Sequence, residues 1–360
     1  MSNYNLTKMA VDMYCPGNVV QLDDVGQPSI LVYIPAFKNS DVLTGGDDNT
    51  HPAFIVNGKE IAGFYYSKYE NVVHDGRAYS LPAEDPANTI TFDAARETCE
   101  AKGYGWHLAT AAEWAAIALW CKKNGFLPYG NNDHGKDSRE SEYKAIPTGY
   151  DTDGNVIRAA SGTGPLTWSH DNTASGVWDM NGNVMEWQGG IRLVWGELQI
   201  LANNDAADSD NPQNETSTCW KAINAADGSL VEPESATSDA AGKASGNTVK
   251  LDSVNNVWTY STSITTTNDF SCSFSGVTSD ETICDAAKML LKSLALLPDE
   301  SANYEGEYVW WNNNTPERNV CRGGHYLHGR YSGLFSIYGR YHRSVVSDLI
   351  GFRAAYIPYI

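Results

Sequence analysis

The chain has 360 residues, is 42% hydrophobic and 11% aromatic, and carries a formal net charge of −19. That length allows one large domain or two with a sizeable core, and the acidic balance argues against nucleic acid as a partner, which needs a basic footprint. Seven cysteines, an odd number with no C-x-x-C pair, argue against a dense disulfide framework and against a zinc site.

The first residues, MSNYNLTKMAVDMYCPG, show no basic segment followed by an apolar one, and no run in the chain is long enough to span a membrane. The reading is a protein made in the cytosol without a signal peptide. Residues 1–27 form an N-terminal arm punctuated at Cys15-Pro16-Gly17. Ile30 to Pro35 is a strand-like apolar run, and Ala62 to Glu70 alternates enough for a second strand. Thr91 caps a predicted helix from Phe92 to about Lys102, ended by Gly103. Thr110 caps another, with Glu113 completing a T-x-x-E capping box and Trp114, Ile117, Ala118 and Cys121 at helical spacing.

From Pro128 to Ser175 the composition predicts long loops with short strands. Val177 to Trp187 is a dense motif, followed by a strand near 191–200. Residues 203–285 are dominated by Ser, Thr, Asn, Asp and Ala, and read as a polar insertion that either carries short strands or is partly mobile. Asp285–Leu297 is an amphipathic helix ended by Pro298.

The last 43 residues, from Arg318 to Ile360, are the most distinctive. They hold six Arg, six Tyr and three His against one Asp, and no Lys, Glu, Gln, Met or Trp. Arg322-Gly323-Gly324 opens the tract and Gly351-Phe352-Arg353 closes it. Aromatic and Arg side chains of this kind dominate binding hot spots. The charge count predicts a positive face suited to an acidic ligand, unless the arginines pair internally with carboxylates such as Glu307 or Glu317. The three histidines add charge only below about pH 6.5. His325 and His328 sit three apart, but in a glycine-punctuated tract that spacing favours recognition over a metal pair.

Four motifs in this order resemble one superfamily. They are Phe64-Tyr65-Tyr66-Ser67-Lys68-Tyr69-Glu70, the helix start His107-Leu108-Ala109-Thr110-Ala111-Ala112-Glu113-Trp114, Gly182-Asn183-Val184-Met185-Glu186-Trp187, and the Arg322-Gly323-Gly324 to Gly351-Phe352-Arg353 ending. Together they resemble the formylglycine-generating-enzyme branch of the C-type lectin fold, over roughly residues 28–202 and 286–360. The resemblance implies an α+β domain over 28–360, with small antiparallel sheets, two flanking helices and the insertion at 203–285.

Within that branch the ending is most similar to variable proteins of diversity-generating retroelements, although the usual Trp after R-G-G-x is Tyr326 here. Substitution at template adenines in such proteins changes mostly Asn codons, and the products never include Lys, Glu, Gln, Met or Trp. Those five types make up 54 of the 360 residues and none lies in 318–360. The stretch from Thr259 to Asp280 also lacks all five, through composition alone.

The implied function is a retroelement-diversified, receptor-binding component of a phage, virion-associated, with a protein or polysaccharide ligand on a cell surface, and with no nucleic-acid partner or membrane insertion. The implied ligand-binding residues are His325, Tyr326, Leu327, His328, Arg330, Tyr331, Ser336, Tyr338, Arg340, Tyr341, His342, Val345, Ser347 and Leu349, expected to be exposed. The implied scaffold includes Arg322, Gly323, Gly324, Gly333, Phe335, Arg343, Gly351, Phe352 and Arg353. The alternatives are a non-diversified binder or accessory protein on the same fold, and a formylglycine-generating-type oxidase. The oxidase requires a Cys pair in the C-terminal tract, and no Cys follows Cys321, so the expectation is a protein that is not an enzyme. No cofactor is required. A structural calcium ion is implied at Asp179, the Gly182 and Val184 carbonyls, and Glu186, the alternative being that Asp179 and Glu186 satisfy donors of the turn.

Overall fold

The computed structural model describes residues 3–239, 245–299, 304 and 306–358; the last two residues of the C-terminal tract lie outside them. The fold is mixed α+β. Its helices are α1 (Asn3–Tyr14), α2 (Asn39–Val42), α3 (Phe92–Glu100), α4 (Ala111–Lys123) and α5 (Asp285–Ser293).

Local chemistry sets the helix starts. The Thr91 hydroxyl accepts the Ala94 N–H at 3.1 Å, and α3 buries Phe92, Ala95 and Cys99 along one stripe. At α4 both halves of the capping box form: the Thr110 hydroxyl accepts the Glu113 N–H at 3.1 Å, and the Glu113 carboxylate accepts the Thr110 N–H at 3.0 Å. Every residue of α4 from Ala111 to Leu119 is buried. A helix apolar on all sides belongs inside the core, so α4 is a central helix rather than a flanking one.

The helix expected over 285–297 is four residues shorter. Ala295 takes a left-handed φ of 50°, which turns the chain out of the helix. The Arg322 guanidinium then donates to the freed carbonyls of Leu294 and Ala295 at 3.0–3.2 Å.

Four of the five sheets among the described residues are small. One has the order Val19–Leu22, Pro28–Pro35, Gly63–Ser67, Ala354–Tyr356, Trp106–Leu108, so the residues near both chain ends share it. The N-terminal arm is therefore a helix followed by a paired strand. The remaining sheet has twelve strands and includes parallel pairs, Met185–Val194 with Ile350–Phe352 and Tyr308–Asn312 with Gly333–Tyr341. That departs from the expectation of small antiparallel sheets alone. The region 203–285 supplies strands to this large sheet, with Leu251, Trp258 and Tyr260 in the main core. Its polar composition reflects alternating side chains and long turns, not a lack of core residues.

Candidate ligand-binding surface

The C-terminal tract is built on buried arginines. Arg322 caps the end of α5 as described. Arg343 donates to Glu317 through Nε (2.7 Å) and Nη2 (2.9 Å), and to Asp93 at 2.8 Å. Arg192 shares the same Glu317 at 2.8 Å, and these two guanidiniums hold its carboxyl below the usual range against the effect of burial. Arg353 donates through Nε to both oxygens of Glu186 at 2.8–2.9 Å, with neither residue exposed. Burial opposes its charge, but Glu186 and Glu70 hold its pKa above the ordinary value. Backbone geometry completes the frame. Gly324 has φ +75°, and a Cβ there would lie 2.0 Å from the Ser332 hydroxyl oxygen.

These pairings correct the expected positive face. Three of the six arginines are buried in the frame, and Arg318 is partly buried with its guanidinium on the Glu317 carbonyl at 2.6 Å. Arg340 lies 3.4 Å from Asp269. Only Arg330 stands exposed with no carboxylate partner among the described residues. A guanidinium taken from water needs such partners, so the charge count overstated the surface.

Exposure corrects four of the expected contact residues. His325, Tyr326, Ser336 and Tyr338 are buried. The strand Gly333–Tyr341 lies between Arg318–Gly323 and Tyr308–Asn312, and all but its last two residues are covered on both faces. Tyr338 packs in the cluster containing Trp187, Cys321 and Phe352. The Ser336 hydroxyl donates to the Gly333 carbonyl at 2.8 Å. Tyr326 is held by its neighbours' backbone, its N–H on the Asn183 carbonyl and its own carbonyl accepting from the His134 N–H. Phe335 and Phe352 are in the core, as expected.

The other ten are at least partly accessible. Leu327 and Arg330 are exposed; His328, Tyr331, Arg340, Tyr341, His342, Val345, Ser347 and Leu349 are half-buried. Part of this set joins a strip that sequence reasoning missed. The ring of Tyr331 lies 4.0 Å from that of Tyr308. Trp310 is two residues further along the same strand and so on the same face. Arg340 lies over the Trp310 ring at 4.2 Å, and Asp269 accepts from the Trp310 indole at 2.7 Å. The result is a continuous run Tyr331, Tyr308, Trp310, Arg340 near one edge of the large sheet. The alternating Tyr-Val-Trp-Trp-Asn of 308–312, just before the tract, was the available signal.

The two histidines of the turn act as structural groups. The Nδ1 of His328 accepts the His325 N–H at 3.1 Å and lies 2.9 Å from the Tyr338 hydroxyl, with the two rings stacked 4.6 Å apart. Burial lowers the pKa of His325 to about 4 and that of His328 to about 2. A lowered histidine pKa means that the associated stability is present above the unfolded value of about 6.5 and is lost as pH falls below it. Both rings are thus expected to stay neutral at pH 5.5, which NMR titration of their C–H shifts checks; a midpoint near 6.5 for either contradicts the burial.

The two acidic side chains carried over as calcium ligands already have partners. Glu186 is bound through both oxygens to Arg353, whose positive charge stands where a cation would be needed. Asp179 accepts the Ser161 hydroxyl (2.8 Å) and the Gly162 N–H (2.7 Å). A tight ligand would raise Tm by mass action, so calcium and a chelator are expected to give melting temperatures within about 1 °C of each other. The grouping of Glu215, Glu317 and His342 is no better, because Glu317 already holds Arg192 and Arg343.

No protein-family model matches the chain, and no curated protein matches it. Solved structures similar to it at low level include two of distinct kinds. The structure of PvdO from Pseudomonas aeruginosa shares 14% identity over 94% of this chain and 97% of that one, with a TM-score of 0.33. The Major Tropism Determinant P3c variant shares 8% over 94% of this chain and 71% of that one, with a TM-score of 0.29. The fold and site define a mixed α+β protein with an aromatic strip beside a rigid, arginine-pinned C-terminal tract. Among the described residues no helix is long and apolar enough to cross a membrane.

Proposed function

We propose that this chain is a ligand-binding protein that displays a variable surface on a C-type lectin scaffold of the formylglycine-generating-enzyme type. In this reading the surface is diversified by a retroelement and serves as a virion-associated phage component that binds a protein or polysaccharide on a cell surface. The observation that carries the reading is the division of labour in the tract. Buried Arg322, Arg343 and Arg353 hold its backbone through partners outside it, while Leu327, Arg330, Tyr331, Arg340 and His342 remain accessible. A surface framed in this way tolerates change in its contact residues.

A non-enzymatic role is part of the proposal. Cys321 is fully buried, burial pushes its thiol well above the ordinary range, and it faces Trp187 and Tyr338 across the sheet. A thiolate nucleophile or copper ligand requires the opposite environment.

The ligand expected from the sequence was acidic. The strip as built is aromatic with little free charge, so large amphipathic rings dominate the contact. Charge-steered association depends on ionic strength. Between about 0.02 M and 0.5 M salt the on-rate for the true ligand is therefore expected to change by less than about threefold. Surface-binding kinetics at the two strengths check this.

A fixed, non-diversified binder is the second reading. It is favoured by the burial of His325, Tyr326, Ser336 and Tyr338, positions where free variation would damage the core. Sequencing the DNA beside the coding region separates the two. A near-copy of codons 318–360 next to a reverse transcriptase gene, differing at adenines in codons for accessible residues, supports diversification. Absence of such a copy leaves the fixed binder.

A further inference from the structure

Away from the C-terminal tract, a cavity of about 530 Å³ opens between the end of the strand Pro28–Pro35, helices α2 and α4, and the loop at His170. No residue of the tract lines it. Its size is that of a small-molecule site, and its walls combine rings with a few polar groups. The ring of Tyr33 is held by a hydroxyl bond to the Ala62 carbonyl (2.7 Å) and by Tyr65 at 5.0 Å. The Trp120 ring has the ring of Phe126 at 6.2 Å and that of His170 at 5.5 Å, both tilted against it.

His170 is the built feature. It is 6% exposed. Its Nδ1 accepts the Val177 N–H at 2.8 Å, which leaves the ring proton on Nε2. That Nε2–H has no partner among the described residues. Burial lowers the pKa of the ring to about 4, so it stays a neutral donor at physiological pH. A nearly buried donor left open on a cavity calls for an acceptor from a ligand.

The remaining groups narrow the ligand. Asp41 and Asp171 add acceptors and Lys123 adds an ammonium with no partner among the described residues. Two carboxylates disfavour an organic anion, and the ammonium and imidazole donor disfavour a cation. Donors and acceptors around flat aromatic faces match a molecule whose hydroxyls do both and whose C–H face is apolar. We propose that this cavity is a second binding site, for a neutral pyranose saccharide stacked on Trp120 and Tyr33 with an oxygen on His170 Nε2–H. The site is independent of the tract and of any metal ion.

The test uses the full chain with maltose, cellobiose, lactose and N,N′-diacetylchitobiose, followed by tryptophan fluorescence and saturation-transfer NMR. Saturable binding of at least one, with a Kd in the range of about 1 mM, is expected. It should be lost in Trp120→Ala, weakened about tenfold in Tyr33→Ala, and unchanged in Tyr150→Ala, an exposed ring outside both the cavity and the tract. Tyr33 is partly exposed, so its variant remains informative if Trp120→Ala fails to fold. The proposal is overturned if no sugar gives a saturable signal up to roughly 50 mM, or if binding survives Tyr33→Ala unchanged. It is also overturned if N-acetyl-tryptophanamide binds in place of the sugars, which would mark a peptide pocket. Failure here leaves the tract proposal intact, because the flanking DNA tests that separately.

Discussion

Replacing Arg353 with methionine is expected to lower the stability of the fold by about 3–5 kcal/mol. Arg353 is fully buried, and both oxygens of Glu186 are on its Nε. It also donates to the carbonyls of Ser67 and Lys68 at 3.3–3.4 Å. Methionine fills much of the volume but strands a buried carboxylate and two carbonyls. Glu70 and Asp179 lie in the same field, and burial already raises both of their pKa values; losing the guanidinium raises them further. The paired variant Arg353→Met with Glu186→Leu should recover part of the loss, because a buried ion pair replaced as a unit is nearly neutral. Urea unfolding of the three proteins measures this. A single variant within about 0.5 kcal/mol of the parent would mean that the closing Gly-Phe-Arg motif is not a structural anchor.

The second large effect separates frame from face. Trp187→Ala and Phe352→Ala are each expected to cost about 3–5 kcal/mol. The two residues are neighbours in register across the parallel pair, and the Trp187 indole donates to the Ile90 carbonyl at 3.0 Å. Tyr338→Ala belongs with them, at about 3 kcal/mol, because its ring is buried and stacked on His328. Arg330→Ala and Leu327→Ala should stay within about 0.5 kcal/mol. Melting temperatures or urea midpoints that fall equally in both groups would contradict the division.

The caps and the core were legible because they rest on local rules. Thr91, Thr110 and Glu113 do at the helix starts what their spacing predicts, and Phe335 and Phe352 are buried as apolar residues between glycines should be. The motif ends were read as scaffold, and Arg322, Arg343 and Arg353 are buried as scaffold.

What escaped the sequence is long-range pairing. Nothing local shows that Tyr338 lies in a strand covered on both faces, since that depends on Tyr308–Asn312 adding beside it in parallel. The positive count of the tract left a positive face and internal pairing both open; Glu317, named as a possible partner, does hold Arg343, and Glu186 holds Arg353. The partners of Asp179 and Glu186 are long-range too: they come from residues 161–162 and 353. The strip residues Tyr308 and Trp310 lie before the tract in sequence and join it only through the pairing of Tyr308–Asn312 with Gly333–Tyr341.

The most direct measurement of the account is a saturation-substitution library over 318–358, sorted for folded protein. Near-free substitution is predicted at Leu327, Arg330, Tyr331, Arg340 and His342, with strong selection at Arg322, Phe335, Tyr338, Arg343, Phe352 and Arg353. Uniform tolerance across the tract, or selection at the accessible residues equal to that at the buried ones, would contradict a surface free to vary on a fixed frame.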